Sequence, residues 1–375
     1  MKFVASSTEL LGKLQAVARV ISSKNTLPIL DNFLFDLQGN ILTITGSDLE
    51  STISTKIELD NVDGSGKMAV PAKILTDTLK EFPEQPLTFD VNNETYVIEI
   101  FSENGKFSVM GQDADDFPQV PEIKETATTA EFSAEILLTG INRTLFATAD
   151  DELRPVMNGI FVQMEENTIT FVASDAHKLV RYRRTDIENA AAASFILPKK
   201  PAGLLKNLLA KDYGSLIVQF DEKNAIFRMA GYILICRLVE GTYPAYQSVI
   251  PQNNPNKMVI DRADFYNTLR RVSVFSNQAS NLVKLQIEDT MLTISAQDID
   301  FSISAYERLN CQFDGENIEI GFKSSFLIEI LSNLSATDVM LEMSEPSRAG
   351  LLFPVDKEKE HEDILMLLMP MMINS

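Results

Sequence analysis

The sequence predicts an α+β chain of three repeated domains, each with two helices packed on antiparallel sheets. Three observations carry this. A short β-like run leading into an amphipathic helix occurs near residue 3 (KFVASSTELLGKLQAVARVI), near 132 (EFSAEILLTGINRTLFATAD) and near 259 (MVIDRADFYNTLRRVSVFS). The steps from Phe3 to Phe132 and from Phe132 to Val259 are 129 and 127 residues. After each helix comes a second matching block: LPILDNFLFDLQGNILTITGSDLE, RPVMNGIFVQMEENTITFVASDAH and NLVKLQIEDTMLTISAQDID. Pro28 to Pro155 and Asp48 to Asp175 each span 127 residues. A period this long marks whole domains strung head to tail, and repeated surfaces of that size build a ring or array more readily than a single catalytic cleft.

Along each third the expected order is strand, helix and three strands, twice over. The first helical stretch, 6–21, lines up Leu10, Leu14, Val17 and Ile21 on one face and leaves Lys13 and Arg19 off it. The second, 71–82, opens after a proline, is expected to bury Ile74, Leu75, Leu79 and Phe82, and turns Lys73 and Lys80 outward. The third, 133–148, stacks Leu137, Leu138, Ile141 and Leu145 opposite Arg143. The fourth, 198–211, carries Lys199, Lys200, Lys206 and Lys211 around Leu204, Leu205, Leu208 and Leu209. The fifth, 261–275, sets Arg270 and Arg271 against Phe265, Leu269 and Val272, with Arg262 in its first turn; the sixth, 323–333, packs through Phe326, Leu327, Ile330 and Leu331. Between the helices, pairs of alternating runs joined by short turns read as antiparallel hairpins with one face on the helices. Linkers at 113–131 and 240–257 repeat an aromatic-Pro step, Phe117-Pro118 and Tyr243-Pro244, each followed by a further proline, Pro121 and Pro251. Domains are expected at 1–125, 126–252 and 253–375.

Composition bounds the function. The 375 residues divide into parts of ordinary domain size, and 45% are hydrophobic. The opening MKFVAS has no apolar core for a signal peptide and no stretch is long enough to span a bilayer, so a cytoplasmic protein away from membranes is expected. Cys236 and Cys311 are isolated in apolar or strand-like contexts and read as buried thiols. A net charge of −20 runs against nucleic acid, itself a polyanion, but its distribution matters more than its sum. The six helical stretches hold thirteen Lys and Arg against seven acids, a balance of +6, which leaves −26 for the rest. A shared face of these helices would be basic inside an acidic molecule, the footprint of a nucleic-acid channel; solvated helix faces would give the same count.

Catalysis has little to stand on. There are two histidines, His177 and His361, and no P-loop, GxSxG, HExxH or paired CxxC. Asp175 with His177 could serve a metal-dependent phosphohydrolase, yet Asp175 recurs as Asp48, where no histidine follows, as a turn residue would. No cofactor and no metal are expected. A repetitive scaffold that never encircles DNA is the other alternative, and it turns on whether the helix cations share one surface.

Across its whole length the chain resembles the family of the bacterial DNA polymerase III β subunit, the sliding clamps of replication. The resemblance rests on MKF at the start, TLPIL at 26–30, TGSDLE at 45–50, VPA at 70–72, DFP at 116–118, SDAHKL at 174–179, GTYPAY at 241–246, EIGF at 319–322 and MPM at 369–371, in that order over three repeats. It implies the DNA-clamp fold, and a head-to-tail homodimer whose six similar domains close a ring with helices lining the hole. It implies a non-catalytic accessory subunit that binds double-stranded DNA without regard to sequence. The expected partners are the DNA polymerase III catalytic subunit, the clamp-loader complex, and other polymerases and repair proteins carrying clamp-binding peptides. Weak phosphate contacts would allow sliding while topology prevents escape.

Site residues follow from the same resemblance. Channel cations would be Lys13, Arg19, Lys24, Lys73 and Lys80, then Arg143, Lys199, Lys200 and Lys206, then Arg270 and Arg271. A peptide pocket between the second and third domains would use Met157, Ser174, Ala176, His177, Lys178 and Leu179, with Pro244, Tyr246 and Val249, and with Leu367, Met369, Pro370 and Met371. Methionines suit a site serving several partners, because flexible polarizable side chains adapt. The dimer contact would join Lys106, Phe107 and Val109 of an edge strand to Val274 and Phe275. Departures from the family pattern are Thr242 and Ser248, where Arg is often found, and a tail Met372-Ile373-Asn374-Ser375 without Arg. The stretch DKEKEHED at 356–363 reads as a solvated loop, with His361 in it and without a role.

Overall fold

The structure is a computed structural model of the 375-residue chain, and it describes every residue except 23, 26, 120, 122, 125–126, 188–191, 211–213, 357–359 and 374–375. Lys211, Thr26, Asn374, Ser375, parts of the first linker and residues 357–359 therefore lie outside the described residues; the expected solvated loop at 356–363 is corrected at its end, where Glu362 and Asp363 open the strand Glu362–Leu368 and pair with Arg184 and Arg181. The chain forms two compact units, Met1–Leu138 with Gly203–Leu238, and Thr139–Ala202 with Val239–Ser375.

Among the described residues, six α-helices stand where helical periodicity placed them: α1 Ser7–Ala18, α2 Ala72–Lys80, α3 Ala134–Thr144, α4 Lys199–Leu209, α5 Arg262–Ser273 and α6 Ser324–Ser332. Each follows directly on a β-strand, and local chemistry fixes the switch. Ser6 accepts the Glu9 N–H at 3.3 Å and Asp261 accepts the Asp264 N–H at 2.7 Å, caps worth about 1 kcal/mol each. Pro71 and Pro198 end the strands before α2 and α4. In α1, Leu10, Leu14 and Val17 are completely buried, and each contributes on the order of 1.5–3 kcal/mol by leaving water.

In the first unit a five-stranded sheet runs in the order Val62–Asp63, Lys2–Ser6, Pro86–Val91, Val97–Phe101, Lys106–Met110. An eight-stranded sheet joins the first repeat to the second through the antiparallel pair Ser51–Glu58 and Tyr232–Arg237. α1 packs against this sheet so closely that a Cβ on Gly46 would stand 2.8 Å from a Val17 methyl carbon, which leaves room only for glycine there. In the second unit a nine-stranded sheet joins the second and third repeats through Lys178–Arg184 and Glu362–Leu368, and a four-stranded sheet ends on the edge strand Ile303–Asn310. Phe265 and Leu269 of α5 and Leu327, Ile330 and Leu331 of α6 are buried between these two sheets.

Several helix-face expectations are corrected. Ile21 lies beyond the end of α1 and is half-buried, and Leu138 on α3 is half-buried beside the buried Leu137 and Ile141. Ile74 is 52% exposed, because the buried stripe of α2 is Ala72, Leu75, Thr76 and Leu79, and one residue before Leu75 is a rotation of about 100° off that stripe. Phe82 lies beyond the end of α2 and is half-buried. α3 stops at Thr144, so Leu145 opens a 3-10 turn and is only half-buried. Cys236 and Cys311 are free and buried; burial pushes both thiols up from their ordinary range.

Candidate functional site

The proposed pocket residues gather within the second unit, and strand alternation decides which of them face one another. In Lys178–Arg184, Leu179 opposes Leu367 of the neighbouring strand, and Leu367 opposes Leu351 of the next. Side chains on this face of the sheet form one apolar cluster with Val172, Ile196, Tyr243, Tyr246 and Ile250. Tyr243 stacks on Phe161 with centroids 4.9 Å apart, burial pushes its phenol upward, and the Tyr246 hydroxyl donates to Gln163 at 3.3 Å. The loop from Tyr243 to Ile250 thus lies over the sheet and leaves Pro244 and Val249 outside, Val249 being 56% exposed.

A tight turn brings the next set in. Asp175 accepts the N–H groups of His177 and Lys178 at 2.9 and 2.8 Å, and the Ser174 hydroxyl donates to the Lys178 carbonyl at 2.9 Å. Ala176 takes φ +74° to close the turn, a strained value for a residue with a Cβ. Asp175 is therefore occupied as a turn acceptor, and among the described residues no group of three His, Cys, Asp or Glu is placed to hold a metal. His177 is exposed, with its ring 6.1 Å from Phe326, and its carbonyl accepts the Met369 N–H at 2.8 Å. Met369, at 40% exposure, stands at the rim; Met157 is buried nearby in chain, at the end of the turn Pro155–Met157.

Two expected members point elsewhere. Lys178 lies on the opposite face, 5% exposed, paired with Glu329 at 2.8 Å and Asp175 at 3.1 Å and 4.5 Å above the Phe326 ring. Met371, after Pro370, bonds through its backbone N–H to the Gly321 carbonyl at 2.8 Å and so leads the tail onto another strand. Sequence reasoning missed Val172, Tyr243, Ile250 and Leu351. FVAS and GLL are buried on both faces, so no period-two alternation marked Val172 or Leu351.

The helix cations differ in their commitments. Arg19, Lys24, Lys73, Lys200 and Lys206 are exposed. Lys13 sits 4.9 Å over the Tyr232 ring, and Arg270 lies 5.6 Å over Tyr266. Lys80 pairs with Asp77 at 2.9 Å and holds that carboxyl below the usual range; Lys199 pairs with Asp150 at 3.3 Å. Arg143 donates to the Asn333 carbonyl at 3.0 Å and the Ser335 hydroxyl at 3.2 Å. Arg271 grips Glu307 with two bonds of 2.8 and 2.7 Å and depresses the Glu307 pKa.

Both end sheets present an open edge. On Lys106–Met110, Lys106 pairs with Glu99 at 2.6 Å, Phe107 packs edge-on against Phe82 at 5.2 Å, Val109 is half-buried, and Met110 is 63% exposed. In the second unit Val274 and Phe275 follow α5 and are exposed, and so are Ile299, Phe301, Ile303 and Tyr306 on or just before the edge strand. These last four were missed. ISAYE alternates as any half-buried strand does, and nothing in it says that the strand ends a sheet.

Family models for the DNA polymerase III beta subunit match the chain in sequence: the N-terminal domain over residues 1–121, the central domain over 131–245 and the C-terminal domain over 247–372. Beta sliding clamps of Pseudomonas putida and a Synechocystis strain are each 28% identical to it, the first over 99% of this chain and 100% of its own, the second over 95% and 96%. The crystal structure of the DNA polymerase III subunit beta from Pseudomonas aeruginosa superposes with a TM-score of 0.94 at 27% identity, covering 100% of both chains.

Proposed function

The chain belongs to the DNA polymerase III beta subunit family, and from that premise we propose how its surfaces serve the work of a DNA sliding clamp. It is a processivity factor and not an enzyme: two chains close head to tail around duplex DNA and tether the replicative polymerase. The observation that carries this is the run of three family domains, in order, over nearly the whole chain. Neither the phosphohydrolase nor the scaffold alternative finds support among the relatives. No described helix is long and apolar enough to cross a membrane. The cytoplasm is the compartment we assign.

In this reading the repeats at 1–125, 126–252 and 253–375 are the three clamp domains of one subunit. The exposed cations Arg19, Lys24, Lys73 and Lys206 make the sequence-independent phosphate contacts, whereas Arg271 and Lys80, already paired, contribute less. Few strong contacts suit a ring that must slide. The edge strand Lys106–Met110 of one chain pairs with Ile303–Asn310 of the other, which satisfies both open edges, and Phe107, Met110, Val274 and Phe275 add apolar burial. The polymerase, the clamp loader and repair proteins present a peptide with apolar and aromatic ends. It lands on Pro244, Val249 and Met369, and the flexible methionine swings aside to uncover Leu367 and Leu179. Lys178 orders the turn from behind through its ion pairs.

Removing the three cations of α4 in K199A/K200A/K206A should lower the slope of log affinity against log salt by up to about three, without any change in sequence preference. Competition binding on unrelated duplexes over a salt series measures both. An unchanged slope would take α4 out of the DNA-facing surface.

A further inference from the structure

The frame of the partner pocket occurs twice. In the first unit Asp48 accepts the N–H groups of Glu50 and Ser51 at 3.0 and 2.6 Å, as Asp175 does for His177 and Lys178. Leu49 takes φ +77° where Ala176 takes +74°. Ser47 donates to the Ser51 carbonyl at 3.2 Å, as Ser174 does to Lys178. The 3-10 turn Pro28–Asp31 repeats Pro155–Met157, and Phe117 of the aromatic-Pro step packs on Ile29 and Leu30 beside it. The strand pairing is repeated too: Thr52 opposes Ile235 as Leu179 opposes Leu367.

What differs is the floor. Thr45 stands where the second unit has Val172, and Thr52 where it has Leu179. Both threonines are 5% exposed, and their hydroxyls meet two serines, Thr45 with Ser54 at 3.2 Å and Thr52 with Ser47 at 2.9 Å. Ser47 also donates to the Ser51 carbonyl and accepts the Leu49 N–H at 3.2 Å, so these hydroxyls are already bonded among themselves and to the backbone, and the floor presents hydroxyl-bearing side chains where the second unit presents the apolar surface of Val172 and Leu179. The turn, the aromatic step and the register are kept while the two central floor positions turn polar.

We propose that the first unit holds a silent copy of the partner pocket, and that the hydroxyls of Thr45 and Thr52 keep apolar partner peptides out of it. The inference rests on the pocket reading above and adds what restricts each chain to one site. Losing the apolar contact that Val172 and Leu179 offer in the second unit weakens such binding by on the order of a hundredfold.

The test is calorimetric titration with a synthetic peptide ending in Leu-Phe, read as peptides bound per chain. The wild type should take one. T45V/T52L should take two, and the near-isosteric T45V/T52V, which spares the packing, should also gain a second, weaker event. A photoreactive group on the peptide should then label the first unit as well. The reverse exchange V172T/L179T should weaken the remaining site about a hundredfold. A wild type that binds two peptides would overturn the silent copy, and so would folded threonine variants, with wild-type circular dichroism, that still bind one. A wild type that binds none would overturn the pocket reading itself, and this inference with it.

Discussion

Leu367 and Met369 sit at successive levels of one site, the first 3% exposed in the floor and the second at the rim with its N–H on the His177 carbonyl. A few well-packed anchors carry most of the energy of such an interface, so L367A/M369A should cost on the order of 2–4 kcal/mol in peptide affinity while the dimer persists. Titration of a labelled peptide against both proteins measures it, and equal affinities would move the site elsewhere. At this scale the sequence was legible where a residue type has one use. Asp175 read as a turn former because it repeats as Asp48, and both carboxylates cap identical turns. Lys178 was illegible because Leu179 beside it faces the apolar cluster while its own side chain crosses to Glu329, and only strand geometry shows that.

Helices and strands were legible to different depths. Each helix lies within the stretch its periodicity marked, since the 3.6-residue stripe, the strand before it and the capping Ser6 or Asp261 agree. Ile74 shows the limit of that signal, because in a nine-residue helix a residue 100° off the stripe already faces water. Strands gave their faces by alternation but not their neighbours. The pairing of Ser51–Glu58 with Tyr232–Arg237 spans nearly half the chain, and no local pattern encodes it. For the same reason nothing in ISAYERLN marked it as an edge, and KFSVM was expected to be one only on the family resemblance. The edges carry the element-scale prediction: F107D/F275D should yield folded monomers, because charge in both apolar patches opposes burial at the contact. Sedimentation at micromolar concentration reads this directly. A double variant that stays dimeric would place the contact on other strands.

Taken whole, the molecule spends its charge unevenly. In a chain of net charge −20 the six helical stretches hold thirteen of the 33 Lys and Arg against seven acids and sum to +6, so the acidic excess lies outside them. Three repeats per chain and two chains per ring give six copies of one domain, and in the proposed closure the two open sheet edges would pair. That closure is the central claim, since processivity then comes from topology and needs no tight grip on DNA. Electron microscopy of the purified protein tests it most directly. The expected result is a hollow ring of twice the 41.8 kDa chain mass with a central hole wide enough for a duplex; solid particles, or particles of a single chain at micromolar concentration, would contradict it.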